Sequence, residues 1–315
     1  MAKIAVELER ALARRAVNGC PGGLASQALA GDGRWSVEDV VCTSGPRDRR
    51  FEERHSHMRI ILVVAGSFQC RAAEGRELLT PGSILLGNEG QLFECGHEHG
   101  AGDRCVSFSY SPDYFESIVS SIGVPPCFRG LRLPPLDDLA PLFARACCGL
   151  SGAAVDGEWE ELSVELAVRV ARIAGDAVTR PQAILPSSIA RVTRVVRAID
   201  RDPGATHRLG DLAREARLST YHFLRTFESL TGLTPHRYVV RARLREAAIR
   251  LAAEPEKILD IALDCGFGDV SNFNRAFRAE FGVSPGAFRG RYLTSPAGLA
   301  NFASSMGTLP FTSES

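Results

Sequence analysis

LGDLAREARLSTYHFLRTFESLTGLTP (residues 209–235) and ILDIALDCGFGDVSNFNRAFRAEFGVSP (residues 258–285) are one phrase written twice. Pro235, Gly232, Phe227, Arg225 and Phe223 recur 50 residues later as Pro285, Gly282, Phe277, Arg275 and Phe273, so each copy closes on F-x-R-x-F-x-x-x-x-G-x-[ST]-P. Ahead of the turn the offset falls to 49, which pairs Leu209, Leu212 and Ala213 with Ile258, Ile261 and Ala262; the second copy holds one extra residue in its Gly266-Phe267-Gly268 turn. Self-similarity of this kind decides architecture before any single residue is interpreted. Each copy is a short apolar-periodic helix, a tight turn and a second helix, the helix-turn-helix pattern. Ser219 and Asp269 stand where an N-cap oxygen is wanted, and Gly232 and Gly282 stand where the second helix needs a left-handed residue to stop. Phe223 with Phe227, and Phe273 with Phe277, share one face at i and i+4, a spacing that predicts core packing and not stacking on bases. The other face then exposes Tyr221, His222, Arg225 and Thr226 in the first copy, and Ser271, Asn272, Asn274, Arg275 and Arg278 in the second, with Thr220 at the start of the first helix as a further candidate contact. Most of these side chains can donate to base edges or phosphates.

Between the copies, Thr234-Pro235 opens a connector with Leu244, Ala247, Ala248 and Leu251 at i, i+3, i+4 and i+7. Proline suits the first helical position. A helix from His236 to Ala253 is about 27 Å long at roughly 1.5 Å per residue. It could hold the two second helices about one DNA turn apart, roughly 34 Å, so that both enter successive major grooves on one face. Charge supports that partner: residues 187–293 carry 18 Lys and Arg against 12 Asp and Glu, or +6, while the rest carries 19 against 25, or −6, and the formal net charge of zero hides the asymmetry. Lys3 and Lys257 are the only lysines, and arginine favours bidentate contact with guanine or phosphate.

The segment from Gly266 to Pro285 carries GF-x-D-x-S-x-F-x-R-x-F-x-x-x-x-G-x-[ST]-P, and with its duplicate it resembles the DNA-binding domain of the AraC family of transcription regulators. The resemblance covers about a third of the chain. It implies base-reading roles for Tyr221 and Arg225 in the first copy and for Val270, Ser271 and Arg275 in the second. Leu224 and Val270 are apolar where many members of the family are polar, so contact with thymine methyls enters beside hydrogen bonding there.

The chain of 315 residues suggests two domains, or two with a helical spacer. No apolar run reaches membrane-spanning length, and Glu7 and Glu9 interrupt the N-terminal run, so neither a membrane span nor a targeting peptide is expected and the chain reads as cytoplasmic. Nine scattered cysteines, with only Cys147 and Cys148 close together, do not form a disulfide framework.

Upstream, Ile4 to Val17 predicts a helix and Gly19 to Gly33 is glycine-rich. From Val37 onward short strands follow, at Met58–Cys70, Glu77–Thr80, Ser83–Leu86, Gln91–Cys95 and Cys105–Tyr110; the last alternates Val106, Phe108 and Tyr110 with Ser107 and Ser109. Close-set strands with glycine turns predict a small antiparallel barrel or sandwich. His55-Ser56-His57 before a strand, then Gly66 and Pro81-Gly82, resembles the cupin-type sensing domains common in the AraC family, although the glutamate of the catalytic cupin pattern is replaced by Ile61 and Leu62. Helices are predicted at Pro112–Ile122, Asp137–Leu150 and Glu158–Ala177, and Trp159, Leu162, Leu166, Val170 and Ile173 form a stripe that serves either its own core or a dimer.

The densest chemistry outside the repeat is ECGHEHGAGDRC, residues 94–105. An extended chain puts Cys95, His97 and His99 on one face. A hairpin tipped at Gly100 would instead set Cys95 opposite Cys105 and His97 opposite Asp103, which suits a redox pair or a carboxylate-oriented histidine. With His55 and His57, these residues could supply ligands for zinc or another transition metal, or a polar hairpin bonded to itself. No cofactor is certain from the residues.

The expected fold class is α+β: an N-terminal cupin-like antiparallel β barrel with flanking helices (1–110), a helical spacer or dimerisation segment (111–178), a linker (179–188), an all-α domain of two helix-turn-helix units joined by a long helix (189–293), and a disordered tail (294–315). The expected function is a sequence-specific transcription regulator, not an enzyme, with double-stranded DNA, a small-molecule effector, a second copy of the chain and RNA polymerase as partners. A metal-dependent cupin enzyme fused to a DNA-binding half, and a DNA binder without a ligand, are the competing classes.

Overall fold

The computed structural model describes residues 3–150, 158–176 and 185–293. Most of the expected linker at 179–188, and all of the expected disordered tail at 294–315, lie outside the described residues. The chain opens with α1 (Lys3–Asn18) and then runs through β1 (Leu24–Gly31), β2 (Trp35–Cys42), β3 (Phe51–Arg54), β4 (Met58–Gly66), β5 (Phe68–Ala72), β6 (Gly75–Leu79), β7 (Ile84–Gly87), β8 (Leu92–Gly96) and β9 (Asp103–Tyr110). A short β10 (Arg132–Leu133) follows α2 (Pro112–Ser120), and α3 (Ala140–Cys148) and α4 (Glu158–Asp176) complete this half. Among the described residues the strands form a six-stranded sheet, β1-β2-β9-β4-β7-β10, and a four-stranded sheet, β3-β8-β5-β6, with every pairing antiparallel.

The two sheets enclose Val63, Phe68, Cys70, Leu79, Leu85, Phe93, Cys95 and Cys105. Strand alternation sends the other side chains of the large sheet, Val37, Ile60, Leu62, Val106, Phe108 and Tyr110, to its outer face, where they meet Leu8, Phe115, Leu142, Leu162, Leu166 and Val170 from the helices. The serine face of β9 is buried as well, so all eight residues of that strand are buried. The Tyr110 hydroxyl donates to the Ser163 carbonyl at 2.8 Å and ties β9 to α4.

Several strand expectations are corrected. Met58–Cys70 is two strands in different sheets, broken at Gly66, where φ is +73° and a Cβ would meet the Gly102 carbonyl oxygen at 2.3 Å. The glycine-rich stretch contains β1, an edge strand exposed along most of its length, whose small residues lack apolar alternation. Strand β3 also escaped the pattern, because FEER is short and mostly exposed. The α4 stripe is spent inside the chain: Leu162, Leu166 and Val170 are buried against the barrel helices and sheet, so that face is not available to a second copy.

The second half comprises α5 (Pro186–Arg201), α6 (Leu209–Glu215), α7 (Thr220–Thr231), α8 (Pro235–Ala253), α9 (Ile258–Asp264), α10 (Val270–Phe281) and α11 (Pro285–Leu293). The four repeated phenylalanines are fully buried. Phe223 and Phe227 join Ile189, Val192, Val196 and Tyr238 in one core. Phe273 and Phe277 join Phe281, Phe288, Leu244 and Leu251 in the other. Both cores reach across to the first half, one taking in Leu78 of β6 and the other Ala144 and Cys148 of α3. Connector α8 is therefore buried on several sides, including Arg241.

Candidate functional site

The two second helices are built alike. Ser219 Oγ accepts from the His222 backbone N–H at 3.4 Å, and Asp269 Oδ1 accepts from that of Asn272 at 2.7 Å, so each cap satisfies an otherwise free donor. Gly232 (φ +80°) and Gly282 (φ +75°) end them in the left-handed region. With the phenylalanines turned inward, Thr220, Tyr221, His222 and Arg225 on α7 and Ser271, Asn272, Asn274, Arg275 and Arg278 on α10 are exposed, while Thr226 and Val270 are half-buried. Tyr221 is 65% exposed and meets the His222 ring edge-on, with ring centroids 5.7 Å apart. The Arg275 guanidinium donates to Asn272 Oδ1 at 3.1 Å, which orients both side chains along α10.

The far ends of these helices are gripped by the first half. Arg132 donates to the Thr231 carbonyl at 3.5 Å, and a Cβ on Gly232 would strike Pro134 at 2.3 Å. Buried Arg241 donates to the Pro135 carbonyl at 2.7 Å, pairs with Glu280 at 2.9 Å and also meets Asp137. Higher on α5, Arg197 donates to Ser67 Oγ (3.2 Å) and to the carbonyls of Ser67 (3.2 Å), Ala101 (2.9 Å) and Gly102 (3.1 Å). The sequence offered no signal for Arg197 or Arg241, since their acceptors are backbone carbonyls and carboxylates distant in the chain.

Between the two sheets lies a cavity of 340 Å³, with Val40, Phe51, Ile61, Leu85 and Phe93 among its apolar lining and Glu38, Arg59, His55, His97, Asp103 and Ser107 among its polar lining. A few convergent polar groups in an apolar container is the usual composition of a small-molecule site. His55 is buried, stacks on Phe93 with ring centroids 4.1 Å apart, and leaves Nε2 without a partner among the described residues. Burial, reinforced by Arg59, lowers its pKa to about 4, so it is a neutral imidazole at neutral pH. Gly87 makes room for it: a Cβ there would lie 2.3 Å from His55 Nε2.

The expected hairpin of residues 95–105 does not form, because β8 and β9 belong to opposite sheets. Cys95 instead lies opposite Cys70 on β5. The Cys70 thiol and burial together hold the Cys95 pKa well above the ordinary thiol value. His97 and Asp103 do meet, Nε2 to Oδ1 at 2.6 Å, and the Cys105 thiol donates to Asp103 Oδ2 at 3.2 Å. His55, Cys95, His97 and Cys105 line the cavity. The other two candidates do not: His57 is half-buried beside Ser56, and His99 turns to a groove shared with Arg194, Arg197 and Arg201. Cys42, unforeseen as a ligand, is carried in by the β2–β9 ladder, which pairs it with Asp103. Cys42, His97 and Asp103 then form a buried group of metal-ligating side chains.

The described residues thus join a tandem helix-turn-helix unit to an antiparallel barrel with an internal cavity. Residues 212–291 match the model of a helix-turn-helix domain and residues 40–167 that of an AraC-like ligand-binding domain. The chain belongs to the AraC family. It is similar to the HTH-type transcriptional regulator Rv1931c of Mycobacterium tuberculosis, 38% identical over 27% of this chain and 33% of the relative. It is also similar to the HTH-type transcriptional activator RhaS of Klebsiella pneumoniae, 43% identical over 24% of this chain and 27% of the relative. The chain thus spans about a third or less of these curated relatives. Among solved structures, ToxT from Vibrio cholerae O395 aligns with 84% of this chain and 100% of its own at 14% identity and a TM-score of 0.34.

Proposed function

We propose that the chain is a sequence-specific DNA-binding transcription regulator, with α7 and α10 as its reading helices and the barrel cavity as the receptor for a small-molecule effector. One observation carries it: two helices, each capped by a side-chain oxygen and ended by a left-handed glycine, turn their aromatic faces inward and leave arginine, tyrosine and asparagine side chains exposed on the other. Connector α8 has 19 residues, about 28 Å at roughly 1.5 Å per residue, a length suited to reaching two successive major grooves. The family supports a regulator and not an enzyme. None of the helices among the described residues is long and apolar enough to cross a membrane, in keeping with a cytoplasmic protein acting beside RNA polymerase.

A homodimer would raise occupancy of paired half-sites through effective concentration, using a surface other than the α4 stripe. Selection of the full-length chain against random duplex DNA tests the central reading. An enriched motif with two blocks about one helical turn apart is expected. Binding without any enriched sequence would leave a DNA binder that does not read bases, and no binding at low salt would end the proposal.

A further inference from the structure

Cys42, His97 and Asp103 come from β2, the turn after β8 and the start of β9, and their ligand atoms all lie within 4.8 Å of one another. The residues are buried, with the His97 side chain only 1% exposed. His97 gives Nε2 to Asp103, while its Nδ1 is buried without a hydrogen-bond partner among the described residues. An ion bound by both residues would take the place of the proton shared between His97 Nε2 and Asp103 Oδ1. A second thiol is at hand, since Cys105 Sγ is 3.2 Å from Asp103 Oδ2, and both thiols line the cavity from which an ion could enter.

We infer that Cys42, His97, Asp103 and Cys105 form a binding site for a zinc-class transition metal ion within the barrel cavity. Two sulfurs, one imidazole and one carboxylate make a set that zinc accepts tetrahedrally. Bonds of about 2.0 Å to nitrogen and oxygen and about 2.3 Å to sulfur put neighbouring ligand atoms roughly 3.3–3.8 Å apart, so Cys42, His97 and Asp103, already within 4.8 Å of one another, need adjust by only about 1 Å, and Cys105 would complete the set by turning its thiol from Asp103 to the ion. Hard cations such as magnesium or calcium are disfavoured, because they seek oxygen ligands. This deepens the reading of the barrel as the sensing half by naming one ligand class for it.

The test titrates zinc chloride into the full-length, chelator-stripped protein against a chromophoric chelator, with cobalt(II) chloride run in parallel. One zinc per chain is expected, with a sulfur-to-cobalt charge-transfer band. Replacing even an outer partner of a metal site costs about 10–100-fold in affinity, so Cys42→Ser and His97→Gln should each weaken binding by about 100-fold or more. Cys20→Ser, at an exposed thiol, should change nothing. The inference is overturned if the parent takes up no stoichiometric zinc, or if both variants bind like the parent. Should the variants not fold, the parent's cobalt spectrum decides, and absence of the thiolate band refutes the site. DNA selection on the same preparation keeps this outcome separate, since a regulator without metal still enriches a motif.

Discussion

Arg197→Ala should loosen the seat of the DNA-binding half on the barrel. The Arg197 guanidinium makes four hydrogen bonds, three to carbonyls at the β4–β5 bend and the 100–102 turn and one to Ser67 Oγ. Hydrogen bonds to charged groups contribute about 1.5–3 kcal/mol each net, and at the lower figure the four sum to about 6 kcal/mol. Two effects reduce it. Burial already works against this guanidinium and lowers its pKa, and Arg197 and one of its acceptors, Ala101, border a 260 Å³ groove between the halves from which water can replace lost donors. A net loss of about 2–3 kcal/mol remains. Both tryptophans, Trp35 and Trp159, lie in the first half, so their fluorescence follows the barrel while far-ultraviolet circular dichroism is weighted towards the helices. Urea unfolding of the parent should give coincident curves by the two probes, and Arg197→Ala should lower the midpoint and separate them. Curves that stay coincident and within about 0.5 kcal/mol of the parent would show that Arg197 does not hold the halves together.

At the proposed DNA surface, Arg225→Ala and Arg275→Ala should each cost about 1–3 kcal/mol of site affinity and relax preference at particular base pairs; a uniform loss over all sequences in a competition assay would assign them to phosphates instead. His55 is held to a pKa of about 4 against the ordinary 6.5, so between those values the unfolded chain takes up a proton that the folded chain refuses. Its stability contribution is therefore lost as pH falls, by roughly 2 kcal/mol from pH 7 to pH 5, and equal pH slopes for the parent and His55→Gln in urea unfolding would refute this. Phe277→Ala, at a side chain fully buried among Phe273, Phe281 and Phe288, should cost about 3–5 kcal/mol, read as a fall in thermal midpoint; an unchanged midpoint would contradict the assigned core.

The regulator half was legible because its instructions are local. An N-cap three residues before the donor it satisfies, phenylalanines at i and i+4, and a glycine at the left-handed terminus act within one or two turns, and duplication repeated them. The exposed face of α7 and α10 followed by elimination once the aromatic face was assigned. The barrel was only partly readable: alternation found β9 and its neighbours, but the edge strands β1 and β3 face water and lack the pattern.

What the chain order could not decide was which strands share a sheet. The 95–105 segment suggests a hairpin, yet a left-handed glycine at 66 and another at 102 help send adjoining strands into opposite sheets. That choice parts Cys95 from Cys105 as cross-strand neighbours, gives Cys95 to Cys70, and draws Cys42 to Asp103 through a ladder between strands distant in sequence. The α4 stripe is a similar case, since an apolar face has the same sequence whether a neighbouring helix or a second copy covers it. Local propensity and repetition determined the helices and their exposed faces from sequence alone; the cavity, its buried group of Cys42, His97 and Asp103, and the grip of Arg197 and Arg241 come from long-range packing, which brings together residues that carry no local mark of one another.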